Sequence, residues 1–260
     1  MYATERQQLI EQLIASDGRV AVVDLADRFQ VTTETVRRDL ALLERSGLVR
    51  RVHGGAVARS RVSTAEFSVA ERSTRRSDAK GAIARAAAEL VGSGFGGSVY
   101  LDAGTTTAAV AQILAASSNT ADGLEVVTHS MTVAHTLAGV PGVGLTAIGG
   151  RVRGLTAAAV GAQTVDAVTR LRPDVAFIGT NGISEAFGLS TPDPDEAAVK
   201  RAIVASARRV VVLADAEKFD AELLVSFAPL SSIDVLITDA PPTGALSEAL
   251  AAADVEVQVA

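Results

Sequence analysis

The residues between Thr32 and His53 are the part of this chain best suited to chemistry with a polyanion. Thr32, Thr33 and Thr35 stand at the head of a segment continued by Arg37 and Arg38, and Arg50, Arg51 and His53 lie in an Arg- and Gly-rich stretch beyond it. Hydroxyl and guanidinium groups donate to phosphate oxygens, and arginine also matches the two acceptors on a guanine edge. The same residues suit the solvated face of a small helical domain, but the basic stretch that follows is hard to explain that way. A second set is spaced through the rest of the chain. Asp102-Ala103-Gly104-Thr105-Thr106-Thr107 combines a glycine turn with hydroxyls, which is either a phosphate cradle at a helix N-terminus or an ordinary capping turn.

Five further clusters resemble that loop in composition. They are Thr128-His129-Ser130, Gly149-Gly150-Arg151, Gly179-Thr180-Asn181-Gly182, the run Asp195 to Lys200, and Asp215 to Phe219 with Lys218 in it. Glu196 and Lys200 are four apart on one helical face, a spacing that serves a binding site or a routine surface ion pair equally well.

The elements that position these residues follow from apolar spacing. Leu9, Ile10, Leu13 and Ile14 predict a helix over about residues 3–15, stopped at Ser16-Asp17-Gly18. Val23 to Phe29 predicts a second helix with Leu25, Ala26 and Phe29 inward, and Gln30-Val31-Thr32 a turn with Thr32 as N-cap. Val36, Leu40 and Leu43 make the buried stripe of a third helix, leaving Glu34, Arg37, Arg38 and Ala41 on the opposite side. Gly47 is the expected stop, Leu48 to Val52 a strand, and His53-Gly54-Gly55 the turn of a small wing. This is a helix–turn–helix whose last helix enters the major groove with a basic wing beside it.

Beyond residue 79 short apolar runs alternate with Ala-rich helical stretches. Candidate strands are Ser98–Asp102, Glu125–Thr128, Gly144–Ile148, Val175–Gly179, Val210–Asp215, Val235–Thr238 and Val255–Val259. That pattern predicts an α/β domain on a mainly parallel sheet, in which ligands bind beyond the carboxyl ends of the strands. The polar clusters fall at those ends. The expected division is 1–57 for the DNA-binding domain, 58–76 for a linker, and 77–260 for the α/β domain. In the linker, Phe67 is a candidate anchor, and Arg72, Arg75 and Arg76 either extend the DNA-facing charge or stay in solvent.

Bulk properties agree with two folded domains. The chain has 260 residues, 48% hydrophobic and 21% charged, and a net charge of -6. Its charge is unevenly placed: residues 1–80 carry 14 Arg and Lys against 11 Asp and Glu, and residues 81–260 carry 10 against 19. The positive excess therefore sits with the expected reading head. Having no cysteine, the chain can build neither a disulfide nor a thiolate zinc site. No metal and no cofactor is expected. Charges interrupt the first apolar run, so it is not read as a signal peptide, and no stretch reaches the roughly 18 apolar residues of a membrane span. The expectation is a soluble, cytoplasmic protein.

Several segments carry a specific likeness: Glu5-Arg6, DLADRF at 24–29, VTTETVRRDL at 31–40 and LERSGLVRRVHGGA at 43–56. Together they resemble the N-terminal signature of the DeoR family of bacterial transcriptional regulators. The DxGTTT loop, T-H-S, GGR, FIGTNGIS, EAAVKR, D-x-x-K-F and LITD segments resemble the sensor half of the same family over about residues 77–240.

The resemblance implies a winged helix–turn–helix joined to a sensor like phosphosugar isomerases and deaminases in fold. It further implies a repressor that binds double-stranded operator DNA and is released by a phosphorylated sugar. Gly104 to Thr107 would hold phosphate; Asp102, His129, Asn181, Glu196 and Lys218 would meet sugar hydroxyls; Ser130, Gly150, Arg151, Gly182 and Lys200 complete the implied site. The family often carries Asn where this chain has His129, whose imidazole would make the contact pH-dependent.

An isomerase fused to a DNA-binding domain is the alternative. Glu196 would be its base, yet the isomerase-like KGGGA segment has no counterpart in GLSTPDPDEAAVK. A half-site read by one helix is short, so a homo-oligomer, dimer or tetramer, is expected.

Overall fold

The computed structural model describes residues 3–17, 19–45, 49–52, 54–58, 63, 64, 66–92, 94–117 and 123–260. The chain divides into two compact units, Met1–Ala65 and Glu66–Ala260.

The first unit contains α1 (Ala3–Asp17), β1 (Arg19–Ala21), α2 (Val22–Phe29), α3 (Thr33–Arg45), β2 (Val49–Val52) and β3 (Gly55–Ala58). Ile10 and Ile14 of α1, Leu25 and Ala26 of α2, and Val36, Leu40 and Leu43 of α3 meet in one core. Leu9, expected on the inner stripe, is exposed. The α2–α3 turn is made by Gln30 in the left-handed conformation, and the Thr32 hydroxyl accepts the Thr35 N–H at 3.2 Å, which caps α3. The expected stops at Gly18 and Gly47, and the wing residue His53, lie outside the described residues.

The wing is an antiparallel sheet in the order β1-β3-β2. Its first strand was not legible, because three residues are too few to show alternation. Gly55 is what admits it: a Cβ there would stand 2.0 Å from the Val20 carbonyl oxygen.

A buried ion pair locks α1 to α3. Arg6 Nε lies 2.6 Å from Asp39 Oδ2, and Gln7 donates to Oδ1 of the same carboxylate at 2.9 Å. Asp39 is thus the structural member of the Arg37-Arg38-Asp39 run, while both arginines face outward.

The second unit opens with α4 (Val69–Thr74) and α5 (Ser77–Glu89), then β4 (Ser98–Leu101), α6 (Thr105–Ala116), β5 (Leu124–Thr128), α7 (Met131–Leu137) and β6 (Val143–Ala147). It continues with β7 (Arg151–Arg153), β8 (Ala158–Val160), α8 (Ala162–Thr169), β9 (Val175–Gly179), β10 (Gly182–Ser184), β11 (Gly188–Thr191) and α9 (Pro194–Ser206). The last elements are β12 (Val210–Leu213), β13 (Val225–Ala228), β14 (Val235–Thr238), α10 (Gly244–Ala252) and β15 (Glu256–Val259).

Seven of these strands form one sheet in the order β15-β14-β12-β9-β4-β5-β6, and every pair is parallel. They are the seven runs expected from the sequence. Side chains alternate between two cores: Val99, Leu101, Phe177 and Val211 face α5, α6 and α7, while Tyr100, Ile178 and Val212 face α8, α9 and α10. A sheet covered on both faces needs apolar residues at successive positions, which is why the central strands β9, β12 and β14 read as continuous apolar runs. The short antiparallel sets β7-β8 and β10-β11-β13 were not anticipated.

Residues 66–76, placed by sequence in the linker, fall with the second unit. Glu66 pairs with Arg153 at 2.7 Å, the Val69 N–H donates to the Leu155 carbonyl at 3.0 Å, and α4 begins with a Ser68–Glu71 capping box. Among the described residues no helix is long and apolar enough to cross a membrane.

Removing one partner of a buried ion pair strands the other charge, at a cost of roughly 3–5 kcal/mol. Asp39→Ala is therefore expected to destabilise the first unit by about that amount, whereas Arg37→Ala should change stability by no more than about 0.5 kcal/mol. Urea unfolding of the full chain checks the contrast; equal midpoints would remove the structural role of Asp39.

Candidate functional site

Strand order reverses at β4. From it the chain proceeds to β5 and β6 on one side, while β9, β12, β14 and β15 follow on the other. The crevice beyond the carboxyl ends of β4 and β9 is the topological switch point, where such sheets leave room for a ligand. There β4 delivers Asp102 and the Gly104–Thr107 turn that opens α6, and β9 delivers Gly179, Thr180 and Asn181.

The floor of this crevice is a buried ion pair between Asp102 and Lys200 of α9. Asp102 Oδ2 also accepts the Gly179 N–H at 2.9 Å, and Lys200 Nζ donates to the Gly179 carbonyl at 2.8 Å. The pair thus ties β4, β9 and α9 together at one point. The Thr107 hydroxyl adds a bond of 2.7 Å to the Asp102 carbonyl, and Thr128 donates to Leu101 at 2.6 Å. Asp102 was expected to meet sugar hydroxyls; it is fully buried beneath the cavity and serves the scaffold instead.

His129 is buried beside it. Its Nδ1 stands 3.0 Å from the Tyr100 hydroxyl and its Nε2 3.7 Å from Asp102 Oδ1. With Tyr100 donating to Nδ1, the ring proton sits on Nε2 and faces the carboxylate. Burial is the largest influence on the ring and lowers its pKa, overcoming the opposing pull of Asp102; Lys200 lowers it further, and Glu196 raises it. The imidazole is neutral at pH 7 and does not reach the cavity, so the expected pH-dependent sugar contact is corrected to a structural hydrogen bond. Burial, followed by Asp102, likewise raises the Tyr100 pKa well above the usual phenol range.

Glu196 and Lys200 do not pair with each other. The Glu196 carboxylate accepts from Arg153 and from the Thr156 hydroxyl, each at 2.5 Å. Arg153 also binds Glu66 and lies 3.2 Å from Asp193. The hydrogen bond with Glu66 is the largest influence on Arg153, followed by opposing burial and then Glu196, and the guanidinium stays protonated. A carboxylate held by two strong donors is poorly disposed to abstract a proton.

The cavity above this floor has a volume of about 50 Å³. Of the expected residues it is lined by Gly104, Thr105, Thr106, Thr107, Asn181, Glu196, Lys200 and Lys218. Arg72 and Lys80 line it as well, and sequence reasoning missed that role for both. Lys80 Nζ donates to the carbonyls of Arg72 (2.5 Å) and Arg75 (2.6 Å). Burial lowers its pKa; Asp215 raises it, and the nearby cations Lys218, Arg72 and Arg75 lower it again. The lining carries the cations Arg72, Lys80, Lys200 and Lys218 against the acids Glu196 and Asp215, and so favours an anion.

The remaining expected residues are used elsewhere. The Ser130 hydroxyl caps α7 by accepting the Val133 N–H. Gly150 allows close packing, since a Cβ there would stand 2.1 Å from Thr164 Oγ1. Arg151 pairs with Asp195 on the surface, and Gly182, opposite Ser190 in the β10–β11 pair, leaves room for the Ala221 carbonyl, which a Cβ would meet at 2.2 Å. Among the described residues no group of three or more His, Asp or Glu is placed to hold a metal ion.

On the first unit, Thr32, Thr33, Arg37, Arg38 and Arg51 are exposed, and Thr35 is half-buried, with its hydroxyl 2.9 Å from that of Thr32. Arg37 and Arg38 lean toward Glu34 at 3.8 and 3.6 Å, contacts too exposed to restrain them. The Arg51 N–H donates to Glu44 at 2.9 Å, and Arg50 lies within β2.

A buried imidazole that resists protonation opposes acid stability. The unfolded chain takes up the proton first, so stability is lost as pH falls through the ordinary histidine range of about 6.5. The melting temperature should therefore drop more steeply below that pH in the native protein than in His129→Asn. Parallel curves would mean that the ring titrates as it does in the unfolded chain.

Comparison with known proteins agrees with these two units. The model of the DeoR-like helix-turn-helix domain matches residues 6–62 and that of the DeoR C terminal sensor domain residues 75–240. The glycerol-3-phosphate regulon repressor of Escherichia coli K12 is 32% identical over 96% of both chains. The transcriptional regulator GlpR of Haloferax volcanii is 38% identical over 92% of this chain and 91% of its own. Ribose 5-phosphate isomerase A of Methanocaldococcus jannaschii is a remote likeness, at 18% identity and a TM-score of 0.38, covering 55% of this chain and 54% of that one. Relatives so similar over nearly their whole length place this chain in the DeoR family, as a DNA-binding transcriptional regulator and not an enzyme.

Proposed function

We propose that the protein represses a sugar-utilisation operon by occupying its operator as a homo-oligomer, and that a phosphorylated sugar in the switch-point cavity releases it. The carrying observation is that cavity: a helix N-terminus with three threonines, facing an excess of cations over acids. Asn181 and Thr180 supply amide and hydroxyl groups of the kind that recognise a sugar. Relatives named for a glycerol-3-phosphate regulon support a phosphorylated small carbon source as the effector class. Both operator and phosphosugar are found in the cytoplasm, where such a protein would work.

On the DNA side, Thr32, Thr33 and Thr35 at the start of α3 would meet the groove, Arg37 and Arg38 guanine edges or phosphates, and Arg50, Arg51 and His53 the backbone beside the wing. Release requires that the effector bind the DNA-incompatible arrangement more tightly than the other, since equal affinity for both shifts nothing.

Arg38→Ala should bind upstream DNA about 5- to 150-fold more weakly, the equivalent of about 1–3 kcal/mol, at unchanged melting temperature. Native protein in the same gel-shift preparations is expected to elute above monomer mass at micromolar concentration. Undiminished binding would reject Arg38 as a contact, and a monomer would reject the half-site scheme.

Thr105→Phe tests the sensor. The variant should still bind the operator but ignore fructose 1-phosphate, fructose 6-phosphate and glycerol 3-phosphate, at least one of which releases the native protein. Release of the variant by the same compound would move the phosphate site away from α6.

A further inference from the structure

The cavity is too small for the ligand its chemistry suits. Sites for small organic ligands run to roughly 300–1,000 Å³, whereas this one holds about 50 Å³ and opens to solvent on one side, so a phosphosugar seated wholly inside it must displace a wall. The strands β4, β9 and β12 and the helices α6 and α9 are rooted in the two cores, and moving them would disrupt the sheet. Outside the cores stand the turn at Ala216–Lys218 and α4. This helix has six residues, none buried, and lies against α6. Its tethers include the Val69 bond to Leu155, the two bonds from Lys80 to the Arg72 and Arg75 carbonyls, and the Arg75–Glu217 ion pair at 3.7 Å just past its C-terminal end.

Arg72, on this helix, lines the cavity together with the N-terminus of α6. Its Nε is buried and has no hydrogen-bond partner. A guanidinium N–H shut away from water without an acceptor is costly, and a phosphate oxygen would satisfy it. Lys218, Arg72 and Arg75 all act against the charge on Lys80, with Asp215 opposing them, so an added anion would also relieve this repulsion.

Resting on the phosphosugar reading above, we infer that Arg72 is a phosphate ligand contributed by α4, that Lys80 is the positioning residue holding α4 over the cavity, and that α4 is the wall the effector moves. The location has a consequence for signalling. α4 begins at Val69, just after the division between the two units at Ala65 and Glu66. The first described helix beyond the DNA-binding unit would therefore be the one that responds to the effector. Without any longer pathway, phosphate binding would change the segment that follows the DNA-binding unit in the chain.

The test uses the full chain, with inorganic phosphate and the three phosphosugars above as probes and the unphosphorylated sugars as controls. Calorimetric titration should show Arg72→Gln binding the phosphorylated probes about ten- to hundredfold more weakly, with Arg72→Lys recovering part of the loss. Hydrogen exchange on the native protein should show the amides of residues 69–74 changing protection when phosphate is added, a readout independent of whether any variant folds. If the native protein binds but Arg72→Gln binds equally well, or residues 69–74 do not respond, this inference is wrong and the phosphosugar reading stands. Native protein that binds none of the probes overturns both.

Discussion

The ion pair between Asp102 and Lys200 is the constraint on which the sensor half depends. Two opposite charges removed from water are stable only where every remaining donor and acceptor finds a partner. The protein meets that demand in part, the Gly179 peptide giving its N–H to Asp102 Oδ2 and accepting the lysine through its carbonyl, while Asp102 Oδ1 stays buried without a hydrogen-bond partner. In doing so it fastens the ends of β4 and β9 to α9 at the one place where no crossover helix can cover the sheet. The crevice that results is empty of backbone, rigid below and polar at its rim.

The same device recurs. Arg6 and Asp39 join the first and third helices of the DNA-binding unit, and Arg153 gathers Glu66, Asp193 and Glu196 from two distant stretches of chain. In each case charges that look like surface decoration in the sequence are largely withdrawn from water and pair across a long sequence separation. Among the described residues, Arg37, Arg38 and Arg51 stay exposed on the first unit, and Arg72, Lys80 and Lys218 line the cavity. Glu196 belongs to the framework, its carboxylate held by Arg153 and Thr156.

Legibility followed the physics of each element. The central strands β9, β12 and β14 could be read because burial on both faces makes each a short apolar run, while the three-residue strands β1, β7, β8 and β10 are too brief to show a period. Thr32 could be read as a cap, and Val36, Leu40 and Leu43 as a stripe, because both depend on neighbours within one or two turns. His129 and Ser130 were misplaced for the opposite reason: a strand-end position indicates nearness to the crevice, but not the direction in which a side chain points.

Sequence by itself determined the two folded units, the reading helix, the parallel sheet and the loop that opens α6, since all of these follow from local spacing and turn chemistry. Only the tertiary structure decided which charges are free. Glu196 and Lys200 share a helical face and yet bind Arg153 and Asp102, partners 43 and 98 residues away. Arg72 and Lys80 lie in or beside a stretch that reads as linker, and they reach the cavity because α4 folds back onto the sensor. Partner choice among charged side chains is set by long-range packing and desolvation, and neither leaves a periodic trace in the chain.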